Sequence, residues 1–266
     1  MPDAPATTSL EAVRATRFAL PLREGGSMPG LFEADDLGMY VVKFRGAGQG
    51  LKVLVAEVLV GELARRLDIR VPRLVTIDVR REIARYEADE EVQDLLTASI
   101  GSNLGVDFLP GSFGYDGSTP ATAAEADAVI WLDAYTANVD RTWSNPNLLV
   151  WHGHVWTIDH GAALWFHHMW PTRGADAARF ADQPFDASKH VLADLSADLP
   201  GTHARLSGQI TESLVREIVD LVPEEWLEPA PGFEGPDDVR EAYVTHLLMR
   251  LDHAPAWLPT NLGGAR

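Results

Sequence analysis

The chain has 266 residues, 46% of them hydrophobic, so it is long enough to bury a core in each of two small lobes. Its formal net charge of −17 argues against nucleic acid and anionic lipid as partners, because both are polyanions, and it favours a basic or neutral protein. The absence of cysteine excludes disulfides, thiol nucleophiles and thiolate metal sites.

The N-terminal segment predicts no export signal. Residues 1–5 lack both the basic and the apolar parts of a signal peptide, and the chain has no run of about eighteen apolar residues that would span a membrane. We therefore expect a cytoplasmic protein that does not interact with a membrane. Residues 1–13, which are rich in Ala, Pro and Thr, are expected to be disordered.

The segment that follows predicts strands around one main helix. Residues 30–34 and 39–44 are short β-rich runs, and the acidic turn formers and glycine between them predict a hairpin. Residues 51–67 have apolar residues at helical spacing and no proline, which predicts a helix, and residues 89–99 predict a second, short one. Residues 106–111 end this part of the chain.

Lys43 lies near the end of the second of these strands, and Glu57 and Glu62 lie on the main predicted helix. The two glutamates are five positions apart, so they point to different sides of the helix and one cannot replace the other. A kinase needs a strand lysine for the ATP phosphates and a helix glutamate to hold that lysine. A strand lysine is otherwise usually a solvated surface residue, so both interpretations of Lys43 are open at this point.

The C-terminal half predicts mainly helices. Residues 121–137 predict an apolar-faced helix that runs into a loop, and residues 212–221 and 237–251 predict two more. Residues 171–200 are mixed and loop-rich, and residues 223–236 form an acidic stretch rich in Pro and Gly that predicts a surface linker.

Two acids and an amide follow the helix of residues 121–137 in a distinctive order. Asp140 is followed by Asn145, an apolar strand, a turn at Gly153, a second apolar strand, and Asp159. Protein kinases use Asp-x-x-x-x-Asn followed by Asp-Phe-Gly to bind metal and phosphate. Asp140 could accept a hydroxyl proton, while the Asn145 oxygen and the Asp159 carboxylate could hold Mg²⁺, which prefers a few oxygen ligands and keeps waters. The alternative is that these are ordinary turn residues.

Several motifs together resemble the HipA-like kinases, bacterial relatives of the phosphatidylinositol 3/4-kinase superfamily. The resemblance covers residues 14–170, and the residues that carry it lie at 41–44, 56–57, 70–72, 138–140, 145–149 and 158–161. It implies an α+β, two-lobed protein-kinase-like fold. A small β-rich N-lobe with one main helix would take residues 14–108, and a mostly helical C-lobe would take residues 109–266.

The resemblance also implies an ATP-dependent phosphotransferase that uses Mg²⁺. Lys43 would contact the ATP phosphates, and Glu57 would orient Lys43. Asp140 would be the catalytic acid or base, and Asn145 and Asp159 would be the metal ligands.

Further nucleotide contacts are predicted less directly. No GxGxxG sequence precedes the lysine strand, and the nearest glycine-rich candidate contains Gly25, Gly26 and Ser27. Backbone N–H groups there could cradle phosphate, although the segment also fits a plain turn. In kinases the linker after the small lobe faces the adenine ring, which makes Phe108 and Leu109 candidates by position.

The segment between residues 151 and 170 is rich in histidine and tryptophan. Aromatic residues at this density usually build a core, but Trp143 lies inside the predicted catalytic loop and is interpreted as shaping the substrate or metal site. Imidazoles are good zinc ligands, so a zinc site is an alternative, although histidines on a tight turn are usually just exposed. The histidines concerned are His152, His154, His160, His167 and His168.

Two hypotheses about function follow. The first is a kinase acting on a Ser or Thr hydroxyl of a protein or, as a variant, on a small molecule. The second is a pseudokinase that binds nucleotide or acts as a scaffold. Thr142 favours the second hypothesis, because many kinases have a cation at that position and the nearest cation here is Arg141. His160 also departs from the kinase pattern, which usually has Phe. The sequence does not identify the phosphate acceptor or the oligomeric state.

Overall fold

The computed structural model describes residues 9–22, 28–85, 87–174, 176, 178–228, 230–260 and 262. These residues form two compact units. The first takes the described residues up to Leu54 together with Pro72–Pro110, and the second takes Val55–Val71 together with the described residues from Gly111 onward. The main helix that we predicted for the small lobe therefore passes from the first unit into the second.

The first unit is built around a closed five-stranded barrel. Its strand order is β1-β2-β3-β5-β4, and the parallel pair of β1 and β4 closes a sheet whose other neighbours are antiparallel. The strands are β1 (Glu11–Pro21), β2 (Gly30–Ala34), β3 (Met39–Lys43), β4 (Leu74–Val79) and β5 (Gly101–Asp107). The hairpin predicted for β2 and β3 is confirmed, with Phe32 opposite Tyr40.

Alternation along the strands determines which side chains fill the barrel. In β3, Tyr40 and Val42 are buried while Lys43 is only partly buried, as expected when successive side chains point to opposite faces. Gly105 of β5 has no room for a side chain, since a Cβ there would lie 2.7 Å from a methyl carbon of Val75. Tyr40 and Val42 therefore line the barrel core, on the face of β3 opposite to Lys43.

The predicted disorder of residues 1–13 is wrong at its end. Glu11 begins β1, and Val13 pairs with Ile77 of β4 and belongs to the buried core. The prediction extended the Ala, Pro and Thr composition of the first residues too far along the chain, whereas residues 11–13 already belong to the strand. Residues 1–8 lie outside the described residues.

Two helices of the first unit connect β4 to β5. They are α2 (Arg81–Ala84) and α3 (Glu90–Ala98), and the second confirms the short helix predicted at residues 89–99. Asp89 caps α3 by accepting hydrogen bonds from the backbone N–H groups of Glu91 and Val92.

The second unit is mostly helical, as predicted. It holds most of α1 (Leu51–Arg66) and a three-stranded antiparallel sheet, in the order β6-β7-β8, of β6 (Phe113–Gly114), β7 (Leu148–Trp151) and β8 (His154–Thr157). Its other helices are α4 (Ala123–Thr136), α5 (Trp170–Arg173), α6 (Ala178–Ala181), α7 (Leu199–Ser207), α8 (Glu212–Asp220), α9 (Pro236–Asp252) and α10 (Ala254–Trp257), with short 3₁₀ turns at Trp165–Met169, Ala193–Leu195 and Glu224–Trp226.

Helix α4 is the central element of the second unit. Every residue from Ala126 to Thr136 is buried, and a capping box between Thr122 and Glu125 fixes its start. The buried Arg250 of α9 satisfies the other end by donating to the carbonyl oxygens of Ala134, at 2.7 Å, and Tyr135, at 2.6 Å. Both ends of α4 are thus held before the chain enters the loop that carries Asp140.

In the part of the chain that the structure describes, no helix is long and apolar enough to cross a membrane.

Candidate active site

Helix α4 delivers the chain into the loop of residues 138–147. Ala137 ends the helix in the left-handed backbone region, with φ 56°, and the N–H of Asn138 donates to the carbonyl oxygen of Asp133 at 2.8 Å. The side-chain oxygen of Asn138 then accepts a 3.3 Å hydrogen bond from the backbone N–H of Asp140. The start of the loop is therefore fixed directly by the end of the helix.

Asp140 and Asn145 meet within this loop. The backbone groups of Thr142 and Asn145 exchange hydrogen bonds of 3.1 Å, which folds the chain back on itself. As a result the Asn145 Nδ2 donates to Asp140 Oδ2 at 2.8 Å. Because the amide nitrogen faces the carboxylate, the Asn145 side-chain oxygen points away from it and can serve as a ligand.

A buried ion pair lies beneath this loop. Arg141 is 1% exposed, and its Nε donates to Asp133 Oδ2 of α4 at 2.6 Å. Burial alone would raise the pKa of the Asp133 carboxyl, but the charge of Arg141 and the bond from His190 outweigh it and lower this pKa to about 2. The pair is therefore ionised, and each charge is compensated inside the unit.

Arg141 also ties the loop to the hairpin that follows. Its Nη1 donates to the carbonyl oxygens of Asn147 and, at 3.3 Å, Ile158. The N–H of Ile158 in turn donates to the carbonyl oxygen of Asn147 at 3.0 Å. Asp159 directly follows Ile158 with a left-handed backbone, φ 55°, and an exposed position. One guanidinium thus joins the segment that carries Asp140 to the segment that carries Asp159.

His190 completes the buried cluster from a distant part of the sequence. Its Nδ1 accepts a 3.1 Å hydrogen bond from the N–H of Leu192, so the ring proton resides on Nε2, which donates to Asp133 Oδ2 at 3.0 Å. The N–H of Val191 also donates to the carbonyl oxygen of Arg141 at 3.1 Å. The segment around His190 therefore covers the underside of the loop.

The sequence interpretation missed Asp133 and His190 and gave Arg141 no role. It noted Arg141 only as the cation nearest in sequence to Thr142, and the structure buries Arg141 against Asp133. An acid within the otherwise apolar run of α4 was the one available signal, since a charge on a buried helix requires a partner.

The residues predicted to bind metal fit Mg²⁺. The described residues contain no group of three or more His, Asp or Glu that could hold a metal ion by themselves. An amide oxygen and a carboxylate are hard donors that suit Mg²⁺, which retains waters and binds substrate phosphates. The binding of one ion by Asn145 and Asp159 stays a prediction.

The histidines of the alternative zinc site lie in different environments. His152 and His154 are exposed at the β7–β8 turn, whereas His160 and His167 are buried. His167 Nδ1 lies 2.9 Å from the Tyr243 hydroxyl. The geometry gives the zinc alternative no support.

The first unit holds Lys43 at the end of β3, opposite Leu104 of β5. The chain beyond Lys43 is fixed by Asn103, whose side-chain oxygen accepts from the Arg45 N–H at 2.8 Å. Glu57 is buried on α1, in the second unit, and Glu62 forms a 3.2 Å ion pair with Arg65. The pairing of Lys43 with Glu57 rather than Glu62 stays a prediction.

The other predicted nucleotide contacts are only partly described. Gly25, Gly26 and Ser27 lie outside the described residues. The Phe108 N–H donates to the carbonyl oxygen of Met39 at 2.9 Å and so extends the pairing of β3 and β5, while Leu109 is buried. Contact of Phe108 and Leu109 with adenine stays a prediction.

Comparison with known proteins identifies the family. The sequence model of the HipA-like kinases matches residues 17–259. The chain belongs to the HipA-like kinase family. The match extends well beyond residues 14–170, where the motifs are found, and includes the helices of the second unit. A search of curated proteins found no match.

Solved structures agree on the fold. The chain is similar to the Helicobacter pylori proinflammatory kinase CtkA, with a TM-score of 0.57, 12% sequence identity, and coverage of 93% of this chain and 98% of that one. The chain is less similar to the Golgi casein kinase, with a TM-score of 0.43, 12% identity, and coverage of 94% of this chain and 73% of that one. We base no argument on this second similarity. The predicted α+β kinase fold is confirmed. Membership of the HipA-like kinase family makes this chain a kinase-type phosphotransferase.

Proposed function

We propose that this HipA-like kinase transfers the γ-phosphoryl group of ATP to a Ser or Thr hydroxyl of a protein, with Mg²⁺ as cofactor. The observation that carries the proposal is the 2.8 Å hydrogen bond from Asn145 to Asp140. It places a carboxylate and an amide side chain side by side on one loop, with the amide oxygen directed away from the carboxylate, in an arrangement that suits a hydroxyl acceptor and a metal-bound phosphate.

Asp140 would orient the acceptor and take its proton. The hydroxyl oxygen forms a bond to the γ-phosphorus, the bond from that phosphorus to the β,γ-bridging oxygen breaks, and ADP leaves. Since this transition state is loose, positioning contributes more than base strength. Asn145 and Asp159 would hold Mg²⁺, which when bound spreads the negative charge of the phosphates.

The first unit would supply the remaining nucleotide contacts. We propose that Lys43 meets the phosphates, that Glu57 orients Lys43, and that Phe108 and Leu109 lie beside the adenine ring. The net charge of −17 makes a basic or neutral protein acceptor more favourable than a lipid phosphate acceptor. A cytoplasmic location stays a prediction.

One observation favours a pseudokinase as the second candidate. Arg141 is the only cation in the sequence of residues 140–147, and the structure engages it with Asp133 and two carbonyl oxygens. The loop therefore presents no cation of its own to a transferring phosphate. A pseudokinase would bind nucleotide without turning it over.

Transfer of label from γ-labelled ATP tests the proposal. The protein is incubated with Mg²⁺ and a mixture of proteins, and label is followed into protein and into free phosphate. We expect label in Ser or Thr of protein, and its loss with Asp140→Asn. Asp186→Asn is the control, because Asp186 is an exposed aspartate with no assigned catalytic role, and it accepts a 2.9 Å hydrogen bond from the Ser188 N–H. Nucleotide binding without transfer to any protein would instead support the pseudokinase.

A further inference from the structure

Trp143 is an exposed aromatic side chain inside the active-site loop. It is 58% exposed, whereas Trp131, Trp226 and Trp257 are fully buried. It lies between Asp140 and Asn145 in sequence, within the turn that brings those two side chains together. A single exposed apolar side chain is common on protein surfaces, so it is the place of Trp143 inside the active-site loop that makes it a candidate for contact with substrate.

The neighbouring segment of residues 115–118 fixes the ring from one side. Tyr115 lies under it, with ring centroids 6.0 Å apart and planes inclined by 30°. Gly117 allows the close approach, because it has φ +82° and a Cβ there would lie 3.3 Å from the Trp143 ring. The N–H of Tyr115 donates to the carbonyl oxygen of Leu148 at 3.0 Å, which anchors the segment to β7. Trp143 is therefore a preorganised surface.

Two carboxylates belong to the segments that carry the ring and support it. Asp116 is in the supporting segment, and hydrogen bonds from the Ser118 side chain and backbone N–H lower the pKa of its carboxyl. Asp140 is on the loop itself. These charges, with the net charge of −17, disfavour a nucleic acid that would otherwise stack on an aromatic ring.

The shape of the surface around Trp143 further limits the class of partner that it can bind. Small-molecule sites are usually concave and enclose most of their ligand, whereas Trp143 projects from a turn and is more than half exposed. A polypeptide segment can cover such a surface with one side chain while its neighbours extend beyond it. An apolar side chain suits the ring, and a Lys or Arg suits the nearby carboxylates.

We infer that Trp143 recognises the protein acceptor, by packing against an apolar side chain close to the Ser or Thr that receives phosphate, in a segment with basic rather than acidic flanking residues. This inference rests on the proposed protein kinase function and adds a sequence preference to it. Trp143 would act on acceptor binding rather than on nucleotide binding.

Peptide kinetics test the inference. Ser peptides that carry Leu, Phe or Gly at each position near the Ser, with Lys or Glu flanks, are compared with the wild type and with Trp143→Ala and Trp143→Phe. We expect wild type to prefer the best apolar peptide over its Gly counterpart by about tenfold in kcat/KM, the usual order for one apolar contact. Trp143→Ala should abolish this ratio through KM, and Trp143→Phe should retain most of it.

The controls distinguish loss of the apolar acceptor preference from loss of the kinase function. Leu37→Ala removes an exposed apolar side chain from the β2–β3 turn of the first unit and should keep the preference. Phosphorylation of peptides by wild type without an apolar preference, or an unchanged preference in Trp143→Ala, overturns the inference while the proposed function stands. If Trp143→Ala melts early, Trp143→Gln, which keeps bulk but removes the aromatic ring, takes its place and should likewise abolish the ratio. Transfer to no peptide or protein overturns the proposed function and the inference with it.

Discussion

Replacing Arg141 with Met tests whether the buried ion pair holds the active-site loop together. Both side chains of the Arg141–Asp133 pair are 0% exposed, and their shortest contact is 2.6 Å. Methionine fills a similar volume but leaves the Asp133 carboxylate without its cation. It also removes the donor shared by the carbonyl oxygens of Asn147 and Ile158.

The expected loss of stability can be bounded in two ways. Breaking a buried ion pair by removing one partner typically costs about 3–5 kcal/mol. Independently, the fall of the Asp133 pKa from 3.8 to about 2 corresponds to about 2 kcal/mol of stabilisation of the charged form. Because His190 supplies part of that and remains in the variant, we expect a loss of about 3 kcal/mol, near the lower end of the usual range.

The pH dependence has a defined sign. The folded-state pKa of Asp133 is below its unfolded value of 3.8, so this stabilisation is fully present above that pH and is lost as the pH falls towards 2. Removing Arg141 raises the folded-state pKa of Asp133, so protonation of Asp133 costs the variant less than the wild type. The stability difference between the two should therefore shrink as the pH falls from above 3.8 towards 2.

Urea unfolding followed by tryptophan fluorescence is a suitable assay, because all eight tryptophans lie in the second unit. Arg66→Met is the matched control, since Arg66 forms an exposed 3.4 Å pair with Glu217 worth about 0–1 kcal/mol. Adding Asp133→Asn to Arg141→Met should recover part of the lost stability by removing the uncompensated charge. An Arg141→Met midpoint equal to that of the control, or no recovery in the double variant, would refute the reasoning.

Three further predictions concern catalysis. Asp140→Asn should lower turnover by about 10²–10⁴-fold with little change in ATP affinity or melting temperature, since the amide keeps the shape but is not a base; turnover at the wild-type rate would remove Asp140 from catalysis. Asp159→Ala should weaken Mg²⁺-dependent binding of an ATP analogue, measured by titration calorimetry, more than Asp140→Ala does, and equal affinity for wild type and Asp159→Ala contradicts its role as a ligand. Glu57→Gln should lower turnover more than Glu62→Gln, because Glu57 is predicted to orient Lys43 while Glu62 pairs with Arg65. Steady-state rates in the reverse order would overturn that assignment.

Local sequence signals account for the elements that carry the site. The glycine after two acids predicts the β2–β3 turn. The two apolar strands on either side of Gly153 predict the hairpin between Asn145 and Asp159. Both signals can be read because they depend on residues close in sequence. The contact between Asn145 and Asp140 spans five residues, so the spacing itself limits the geometry.

Interactions between distant residues could not be predicted in this way. His190 reaches Asp133 across 57 positions, and β1 pairs with β4 in a parallel register that joins Val13 to Ile77. Such contacts depend on how distant elements pack within each unit, and a single sequence contains no periodicity that reports them. For the same reason the pairing of Arg141 with Asp133 of α4 was not predicted.

Helix α1 determines how the chain can be divided. Its residues Leu59, Val60 and Leu63 line a small apolar cavity of about 10 Å³ together with residues of α4, α8 and α9, all in the second unit. A truncated protein ending at residue 110 would retain this helix without the surface that buries it, and would expose the apolar side chains to aggregation. A fragment beginning at residue 111 would leave one side of α4 uncovered. Neither unit is therefore a contiguous piece of the chain, and a single cut, at whatever position, leaves at least one of the two incomplete.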